Sequence, residues 1–191
     1  MVQTPSTMLE LGSEAADFTL PEPLTGNQVS LSDQQSKPLL VVFSCNHCPY
    51  VLHIIDSFVA FANAAQRRGI AVVMISSNDV AGYPQDSPLK MAEFARDHGF
   101  EFPYLHDESQ QVATAYQAAC TPDFYLFDAA HRLVYRGQYD GSRPGNQAPV
   151  NGADLQAAVE ALLAGDAISS AQIPSVGCNI KWRAGSEPVR G

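Results

Sequence analysis

Two cysteines separated by two residues, Cys45 and Cys48, are the side chains best suited to chemistry in this sequence. Positions i and i+3 of a first helical turn lie about 5–6 Å apart, so the two sulfurs can form a disulfide after a small adjustment. The free N–H groups at a helix start favour a thiolate, and His47 adds a positive charge or an N–H donor beside the sulfur. We therefore expect Cys45 to be an exposed nucleophile of lowered pKa and Cys48 to be the resolving thiol.

A zinc site is the main alternative use of such a cysteine pair, because thiolates are also good metal ligands. Zinc needs further ligands at a suitable spacing, and the sequence contains no second Cys-x-x-Cys and no His-x-x-x-His. A Cys-x-x-Cys inside a strand–helix–strand pattern is typical of redox proteins. We accordingly predict a redox pair and no metal site.

The elements around the pair follow that pattern. The continuous apolar run 39–43 predicts a buried strand, and a largely buried helix is predicted from about Pro49 to Arg68, with Gly69 at its end. Residues 70–75 predict the next buried strand. A strand, a helix and a strand over about 40 residues form a βαβ unit, which is expected to be right-handed.

The remaining pattern predicts further short elements on either side of this unit. They are a hairpin over 18–31, a helix over 89–98, a short strand over 102–105, a helix over 109–118 with Ser109 as its N-cap, a hairpin over 124–135 and a helix over 153–164. The last residues are irregular but carry apolar side chains such as Ile180 and Trp182, so we expect this tail to pack on the body.

The charge balance of the sequence indicates which classes of binding partner are unfavourable. The 191 residues carry 11 Lys and Arg against 20 Asp and Glu, a formal charge of −9, with no basic cluster. This balance argues against nucleic acid and anionic membrane as partners. No apolar run approaches the length of about 20 residues that a transmembrane helix needs. The first residues lack the basic and apolar regions of a signal peptide, so we expect a cytoplasmic protein with reduced cysteines.

Four segments carry a family resemblance: 16–20 (ADFTL), 43–49 (FSCNHCP), 120–124 (CTPDF) and 174–182 (PSVGCNIKW). With them, the sequence resembles the thioredoxin-like redoxins of the alkyl hydroperoxide reductase/thiol-specific antioxidant group. Within that group it is similar to the peroxiredoxin-like branch with a Cys-x-x-Cys motif. The resemblance implies a thioredoxin-like α/β fold, with a central mixed β-sheet flanked by helices, and dithiol–disulfide exchange.

Length and residue pattern predict how the chain is divided, and the resemblance implies a substrate site. We expect a single domain over 1–191, with an N-terminal hairpin extension (12–37), a core (38–164) and a packed, irregular tail (165–191). Thr121-Pro122 matches the family's cis-proline, which faces the cysteine pair and exposes the Thr121 backbone to an extended substrate. Thr121 and Pro122 are therefore the predicted substrate-binding residues.

The sequence departs from two family patterns. Peroxiredoxins have Pro-x-x-x-Thr-x-x-Cys, but the threonine position falls here on Val42 or on Cys45, depending on which cysteine is aligned. This departure argues against efficient peroxide reduction. Thioredoxins carry an acidic residue in the strand before the motif, and the run 39–43 contains none. The usual base for the second thiol is therefore missing from that strand.

Two further cysteines are candidate auxiliary residues. Cys120 lies two residues before Pro122, so it is either a third thiol or metal ligand near the pair or a small buried apolar residue. Cys178, in the tail, is either a thiol that reduces Cys120 or Cys48 or a packed structural cysteine beside Trp182. We favour the structural interpretation for Cys178 and leave Cys120 open.

Arg143 is the third candidate auxiliary residue. Its guanidinium is suited to steadying a thiolate or a substrate carboxylate. A contact with Asp140 that stabilises the turn 139–144 is the simpler interpretation, and we favour it. The polar loop with Asn78, Tyr83 and Asp86 follows a buried strand, where open α/β sheets bind ligands, but we expect only a minor role for it.

These observations together predict a thiol–disulfide oxidoreductase. Cys45 and Cys48 exchange with a disulfide or oxidised thiol of a protein or a small molecule, and a separate dithiol reductant restores the pair. No Gly-rich nucleotide loop is present, and no cofactor is expected. The alternatives are a peroxide reductase that forms a sulfenic acid, and a Cu or Zn module using Cys45, Cys48 and Cys120. Oligomeric state is not predicted.

Overall fold

The computed structural model describes residues 3–188, which form helices on both sides of a central sheet. The strands are β1 (Gln3–Pro5), β2 (Thr19–Pro21), β3 (Gln28–Ser30), β4 (Leu39–Phe43), β5 (Ala71–Ser76), β6 (Tyr104–His106), β7 (Cys120–Thr121), β8 (Asp123–Phe127), β9 (Leu133–Tyr135) and β10 (Val176–Asn179). The helices are α1 (Pro49–Arg67), α2 (Pro88–Asp97), α3 (Gln111–Ala115) and α4 (Ala153–Ala164). Over these described residues, no helix combines the length and apolar character needed to cross a bilayer.

The central sheet has five strands in the order β6-β5-β4-β8-β9. Strand β4 is parallel to β5 and antiparallel to β8, with Val41 paired to Val73 on one side and Tyr125 on the other. All five residues of β4 are buried. A strand covered on both faces needs such an unbroken apolar sequence, and the end of β4 is consequently a fixed point from which the next loop starts.

Side chains alternate across β4 and divide the core in two. Leu40 and Val42 pack with Phe58 of α1 and Leu155 of α4 on one face. On the other face, Val41 and its neighbours pack with the α3 region and with residues from the two ends of the described chain. Helix α1 is therefore held by the sheet along its length, which fixes the position of its first turn.

A second sheet joins distant parts of the chain in the antiparallel order β1-β10-β7. In it Cys178 pairs with Gln3 on one side and with Thr121 on the other. The predicted N-terminal hairpin is present as β2 and β3, with Leu20 opposite Val29. The predicted packed tail is also present within the described residues, but it contains strand β10, which the sequence did not indicate. Residues 189–191 lie outside the described part.

Helix predictions agree with the structure except at α3. The long helix was expected over 49–68 and is found over Pro49–Arg67, and α4 has the predicted bounds. The predicted helix 109–118 is wrong in its extent, since α3 covers only Gln111–Ala115 with Gln110 as its N-cap. Gln117 adopts a positive φ of 51°, which ends the helix before Ala118. Gln110 rather than Ser109 occupies the N-cap position, but the Ser109 hydroxyl accepts the N–H of Gln111, the first residue of α3, at 3.3 Å and donates to the Asp107 carboxylate.

Candidate redox site at the start of the long helix

The two cysteines lie on the connection between β4 and α1. The Ser44 N–H still donates to Ile75 O at 2.8 Å, so the loop leaves the sheet only after this residue. Cys48 is the N-cap of α1, and Pro49 occupies its first position, where the missing proline N–H costs nothing. The helix therefore starts four residues after Cys45, and its unpaired N–H groups lie next to Cys48.

Three segments meet at Cys48. Its Sγ lies 3.1 Å from the carbonyl oxygen of Thr121 and 2.8 Å from the Sγ of Cys178. The Sγ of Cys45 lies 3.6 Å from the hydroxyl oxygen of Thr121. The Thr121–Pro122 peptide bond is cis, as the family resemblance implies. The segment before Pro122 and the tail strand β10 thus both border the cysteine pair.

Cys48 is the thiol of the pair with the lowered pKa. The hydrogen bond that Cys45 donates to it is the largest cause, and it lowers the Cys48 pKa to about 5. Burial opposes this shift, while hydrogen bonds from Cys178, the Thr121 side chain and the Val51 N–H add to it. The Val51 N–H is one of the free donors at the start of α1, so part of the effect comes from the helix terminus.

The prediction of an exposed Cys45 with a lowered pKa is wrong. Cys45 is only 1% exposed. Its pKa is raised, first because its S–H donates to Cys48, and further by burial and by the negative charge of Asp86. The prediction failed because it assigned the helix N-terminus to Cys45, whereas the helix begins after Cys48 and a buried carboxylate lies beside Cys45.

Asp86 is the residue of this site that sequence reasoning undervalued. It is fully buried and accepts the Asn46 N–H and the side-chain amide of Asn78, each at 2.8 Å. The His47 Nδ1 lies 2.8 Å from its Oδ2, and the His47 ring stacks on Tyr83 with 5.5 Å between centroids. Its position after β5, at the carboxyl edge of the sheet, was the signal for a larger role.

His47 is thus held between an aromatic ring and a carboxylate beside the pair. One potential ligand atom each from Cys45, His47 and Asp86 lies within 4.8 Å of the others, and this is the group with metal-binding spacing found among residues 3–188. Thiolate, imidazole and carboxylate are all zinc ligands. The group does not include Cys120, which the metal alternative had used.

The prediction that the Thr121 backbone is exposed is also wrong. Thr121 is 2% exposed, and its edge is paired with β10. The two backbones touch at Gly177, where an added Cβ would lie 2.0 Å from the carbonyl oxygen of Thr121. Only glycine fits at this position, so the edge expected to receive an extended substrate is covered by the chain's own strand.

The two auxiliary cysteines, Cys120 and Cys178, lie in different surroundings. Cys120 is fully buried, and its Sγ lies 3.6 Å from the carbonyl oxygen of Pro122. Burial, followed by the charge of Asp123, raises the pKa of Cys120. Cys178 packs in the core that contains Cys48, while Trp182 packs against the other core, so the expected packing of Cys178 beside Trp182 is wrong.

Cys178 is a protonated neighbour of Cys48. Burial is the largest cause that raises its pKa, and its hydrogen bond to Cys48 adds to the shift, bringing the pKa to about 12. A thiol that keeps its proton can donate to a thiolate, which is the arrangement expected beside the lowered pKa of Cys48.

Arg143 makes its contacts within its own turn and with Gln138 just before it. It donates to the backbone carbonyls of Asp140 at 2.7 Å and of Ser142 at 2.6 Å, and to the side-chain carbonyl of Gln138. These contacts agree with the turn-stabilising interpretation. Arg143 and Pro122 nevertheless line the same shallow cleft, which places the guanidinium on the Pro122 side of the site.

Comparison with solved structures defines the class of fold. The chain superposes on an uncharacterised conserved protein of Geobacillus kaustophilus with a TM-score of 0.93 and 47% identity, covering 96% of this chain and 97% of the other. It also superposes on the thioredoxin domain of a thiol-disulfide oxidoreductase of Bacteroides vulgatus, with a TM-score of 0.59 and 19% identity over 79% of this chain and 99% of that domain. The fold is thioredoxin-like.

Sequence comparison then gives the family. The model of the AhpC/TSA family matches residues 11–136. A Mycobacterium tuberculosis protein named "putative peroxiredoxin" is 34% identical over 120 residues, 60% of this chain and 68% of the relative. The thiol-disulfide oxidoreductase ResA of Geobacillus kaustophilus is 27% identical over 132 residues, 65% of this chain and 67% of the relative. The chain belongs to the AhpC/TSA family.

Proposed function

We propose that this protein is a thiol–disulfide oxidoreductase in which Cys45 and Cys48 exchange with a disulfide or an oxidised thiol. The observation that carries the proposal is the packing of the two buried thiols at the start of α1, where the Cys45 Sγ lies 3.6 Å from the Thr121 hydroxyl and the Cys48 Sγ 2.8 Å from the Cys178 Sγ, together with a Cys48 pKa lowered to about 5, first by its hydrogen bond with Cys45. At neutral pH the reduced pair then holds one proton and one negative charge. A thiolate is the nucleophile in disulfide exchange, so the pair is ready to react without an external base.

Cys45 is the sulfur that we propose as the point of attack on the substrate. The neighbouring residue His47 keeps 24% of its side chain exposed, and we propose that displacement of this ring from Asp86 and Tyr83 opens access to Cys45. Cys48 is enclosed by the Thr121 carbonyl and by Cys178. As Cys45 attacks, its proton passes to Cys48 along the hydrogen bond between them, a mixed disulfide forms at Cys45, and the first substrate thiolate leaves.

The second step closes the internal disulfide. Cys48 loses its proton to water, which its hydrogen-bond donors favour, and attacks the Cys45 sulfur. The Cys45–Cys48 bond forms and the second substrate thiolate leaves. The substrate gains two electrons and leaves as two thiolates, while the pair loses those two electrons and releases its one proton to water. A separate dithiol reductant, which we propose the protein meets in the cytoplasm, returns the pair to the reduced state.

Trapping of the mixed disulfide tests this order. A small aromatic disulfide is the probe, its turnover is followed by absorbance, and adducts are located by mass spectrometry. Cys48→Ser is expected to accumulate one half of the probe on Cys45, and Cys45→Ser to lose turnover. Cys120→Ser is the control, because it changes a buried thiol outside the Cys45–Cys48 pair. It is expected to keep activity. Normal turnover by Cys45→Ser contradicts the proposal.

Peroxide reduction is a second candidate, favoured by the family match and by one contact. The Thr121 hydroxyl lies 3.6 Å from the Cys45 Sγ and provides a donor where Val42 does not. In this reaction the peroxide oxidises Cys45 to a sulfenic acid and leaves as water or an alcohol, and Cys48 then condenses with the sulfenic acid to a disulfide and water. Stopped-flow measurement of peroxide consumption separates the two functions, since peroxide turnover faster than disulfide turnover favours the second.

Metal binding is the remaining candidate, favoured by the group of Cys45, His47 and Asp86. These ligand types suit zinc, while copper(I) prefers softer sets with more sulfur. Metal analysis of anaerobically purified protein is the test. One equivalent of zinc or copper that is lost in Cys45→Ser favours a metal module, and metal-free protein with full disulfide turnover favours the oxidoreductase.

A further inference from the structure

We propose that Cys178 is a third redox thiol, which takes over the disulfide from the Cys45–Cys48 pair by forming a bond with Cys48. The inference rests on the proposed function, because it starts from the oxidised pair. It assigns a chemical role to the tail strand β10, which carries Cys178.

The distance between sulfurs is the first observation. The Cys48 and Cys178 Sγ atoms are 2.8 Å apart, and a disulfide bond is about 2.05 Å long. Both residues are buried, at 0% and 2% exposure, so the contact is shielded from solvent thiols. Bond formation therefore needs only a small movement of two side chains, and no external thiol has to enter.

The second observation is that the backbone holds Cys178 in this position. Cys178 lies inside β10, with Gln3 opposite on β1 and Thr121 opposite on β7. Gly177 lets the strand approach the Thr121 carbonyl, which itself lies 3.1 Å from the Cys48 Sγ. The strand is fixed on both edges, so the thiol stays against Cys48 and does not depend on the chance approach of a mobile tail.

The strand also occupies the place expected for an extended substrate. Thr121 was predicted to offer its backbone to such a substrate, and β10 makes that antiparallel pairing instead. Cys178 is consequently presented to the pair much as a substrate cysteine would be. The chain thus carries an internal thiol at the edge where exchange partners are expected to bind.

The transfer is a disulfide isomerisation in which only the sulfurs of Cys45, Cys48 and Cys178 exchange bonds. In the oxidised pair, Cys178 loses its proton as its sulfur attacks the Cys48 sulfur. The Cys48–Cys178 bond forms, the Cys45–Cys48 bond breaks, and the Cys45 sulfur leaves with the electron pair of the broken bond and takes the proton. No oxidant or reductant is consumed. The product has a free Cys45 thiol and a disulfide stored in the interior.

Cys120 does not compete for this role. Its thiol faces the Pro122 carbonyl at 3.6 Å, and no hydrogen bond joins it to the pair within residues 3–188. It pairs through its backbone with Asn179, one residue beyond Cys178. Cys120→Ser is therefore a matched control, since it changes a buried cysteine on the neighbouring strand without removing a sulfur in contact with Cys48.

Disulfide mapping during oxidation tests the transfer. Reduced protein is treated with diamide, a thiol oxidant, quenched with an alkylating reagent at intervals, digested without reduction and analysed by mass spectrometry. In the wild type and in Cys120→Ser, the Cys45–Cys48 bond is expected to appear first and to be replaced by Cys48–Cys178 with alkylated Cys45. In Cys178→Ser, oxidation is expected to stop at Cys45–Cys48.

Two further results decide the proposal separately from the proposed function. Cys45→Ser is expected to form Cys48–Cys178 directly, which shows that the two sulfurs can bond even if Cys178→Ser does not fold. Wild-type protein that retains only Cys45–Cys48 overturns the transfer and leaves the dithiol exchange intact. Normal disulfide turnover by Cys45→Ser overturns the proposed function itself, whatever bond Cys178 makes.

Discussion

The carboxylate of Asp86 accepts the backbone N–H of Asn46 at 2.8 Å, which ties the loop between the two cysteines to the loop after β5. These loops follow neighbouring parallel strands, so they leave the sheet at the same edge. The other carboxylate oxygen takes the amide of Asn78. Asp86 thus fixes the conformation of the cysteine loop and also sets the charge next to Cys45.

Replacement of Asp86 by asparagine separates these two effects. Asp86→Asn removes the negative charge that helps to raise the Cys45 pKa, so the Cys45 pKa is expected to fall. The new NH₂ group leaves one buried donor without an acceptor, which is expected to cost about 1–3 kcal/mol in the free energy of unfolding. The protein that keeps Asp86 and the Asp86→Asn variant are compared, each in a Cys48→Ser background. Thiolate absorbance gives the Cys45 pKa, and urea unfolding gives the stability.

The control for this change is Asp97→Asn, at the exposed end of α2. It removes the same charge far from the hydrogen bonds of the cysteine loop and is expected to leave the Cys45 titration unchanged. An equal shift of the Cys45 pKa in both variants contradicts a local role for Asp86.

Titration of the reduced protein locates the thiolate. Ultraviolet thiolate absorbance is expected to rise with a midpoint at about pH 5, the pKa to which Cys48 is lowered. Cys45→Ala removes the donor that contributes most, so its midpoint is expected to be higher. Cys48→Ser is expected to lose this rise entirely. A midpoint near the ordinary cysteine value of about 8.5 in the wild type disproves the assignment.

The same pKa shifts predict how stability depends on pH. The folded Cys48 pKa lies below the unfolded value, so its contribution is present above about pH 8.5 and is lost as pH falls towards 5. The pKa values of Cys45 and Cys178 are raised, so their contributions are lost as pH rises beyond the unfolded value. The stability of the reduced protein relative to Cys48→Ser is therefore expected to rise between about pH 5 and 8.5.

Urea unfolding at a series of pH values measures this difference. Because the comparison is between two variants of one chain, the titration of the acidic residues and histidines common to both cancels to first order. If the difference in unfolding free energy between the wild type and Cys48→Ser does not change between about pH 5 and 8.5, the predicted link between the Cys48 pKa and stability is wrong.

Gly177→Ala tests the fit of β10 against Thr121. Its Cβ would meet the Thr121 carbonyl oxygen at 2.0 Å, and that atom belongs to the backbone and cannot rotate away. We expect β10 to be displaced, at a cost of about 1–3 kcal/mol, and Cys48 to react faster with small alkylating reagents. Gly141→Ala, which has open space around the added Cβ, is the matched control. Equal alkylation rates in the two variants refute the close fit.

Arg143→Ala tests the remaining auxiliary residue. Because Arg143 bonds to the Asp140 and Ser142 carbonyls, we expect the variant to lose about 1 kcal/mol of stability. Disulfide turnover with an uncharged probe is expected to stay within about twofold of the wild type, which is under 0.5 kcal/mol in the barrier. A loss of a hundredfold or so, without unfolding, assigns the guanidinium to substrate binding.

Long elements of this fold were predictable because their residues repeat a pattern. The apolar run of β4, the buried stripe of α1 with Pro49 at its start, and the bounds of α4 all follow from periodicity and terminal residues. Strands β7 and β10 have two and four residues, too few to show an alternation. Their pairing depends on the approach at Gly177, which only the folded chain reveals.

The kind of chemistry at the site was predictable from the sequence, but which of the two thiols carries the negative charge was not. The spacing of Cys45 and Cys48 identifies a redox pair, and the match around Pro122 correctly predicts a cis bond. Which thiol holds the negative charge depends on where the helix begins and on the carboxylate of Asp86, which lies 40 residues after Asn46. These are tertiary relationships between loops, and residue types at fixed spacing do not encode them.

The sheet β1-β10-β7 also governs the order in which the molecule is completed during translation. The ribosome makes residues 3–5 before the other strands of this sheet, yet their partner strand is added only with residues 176–179. The sulfur atoms at 45 and 48 therefore leave the exit tunnel more than a hundred residues ahead of the strand that covers them. Until then a nascent chain meets the oxidants and chaperones of the cell with its reactive centre open.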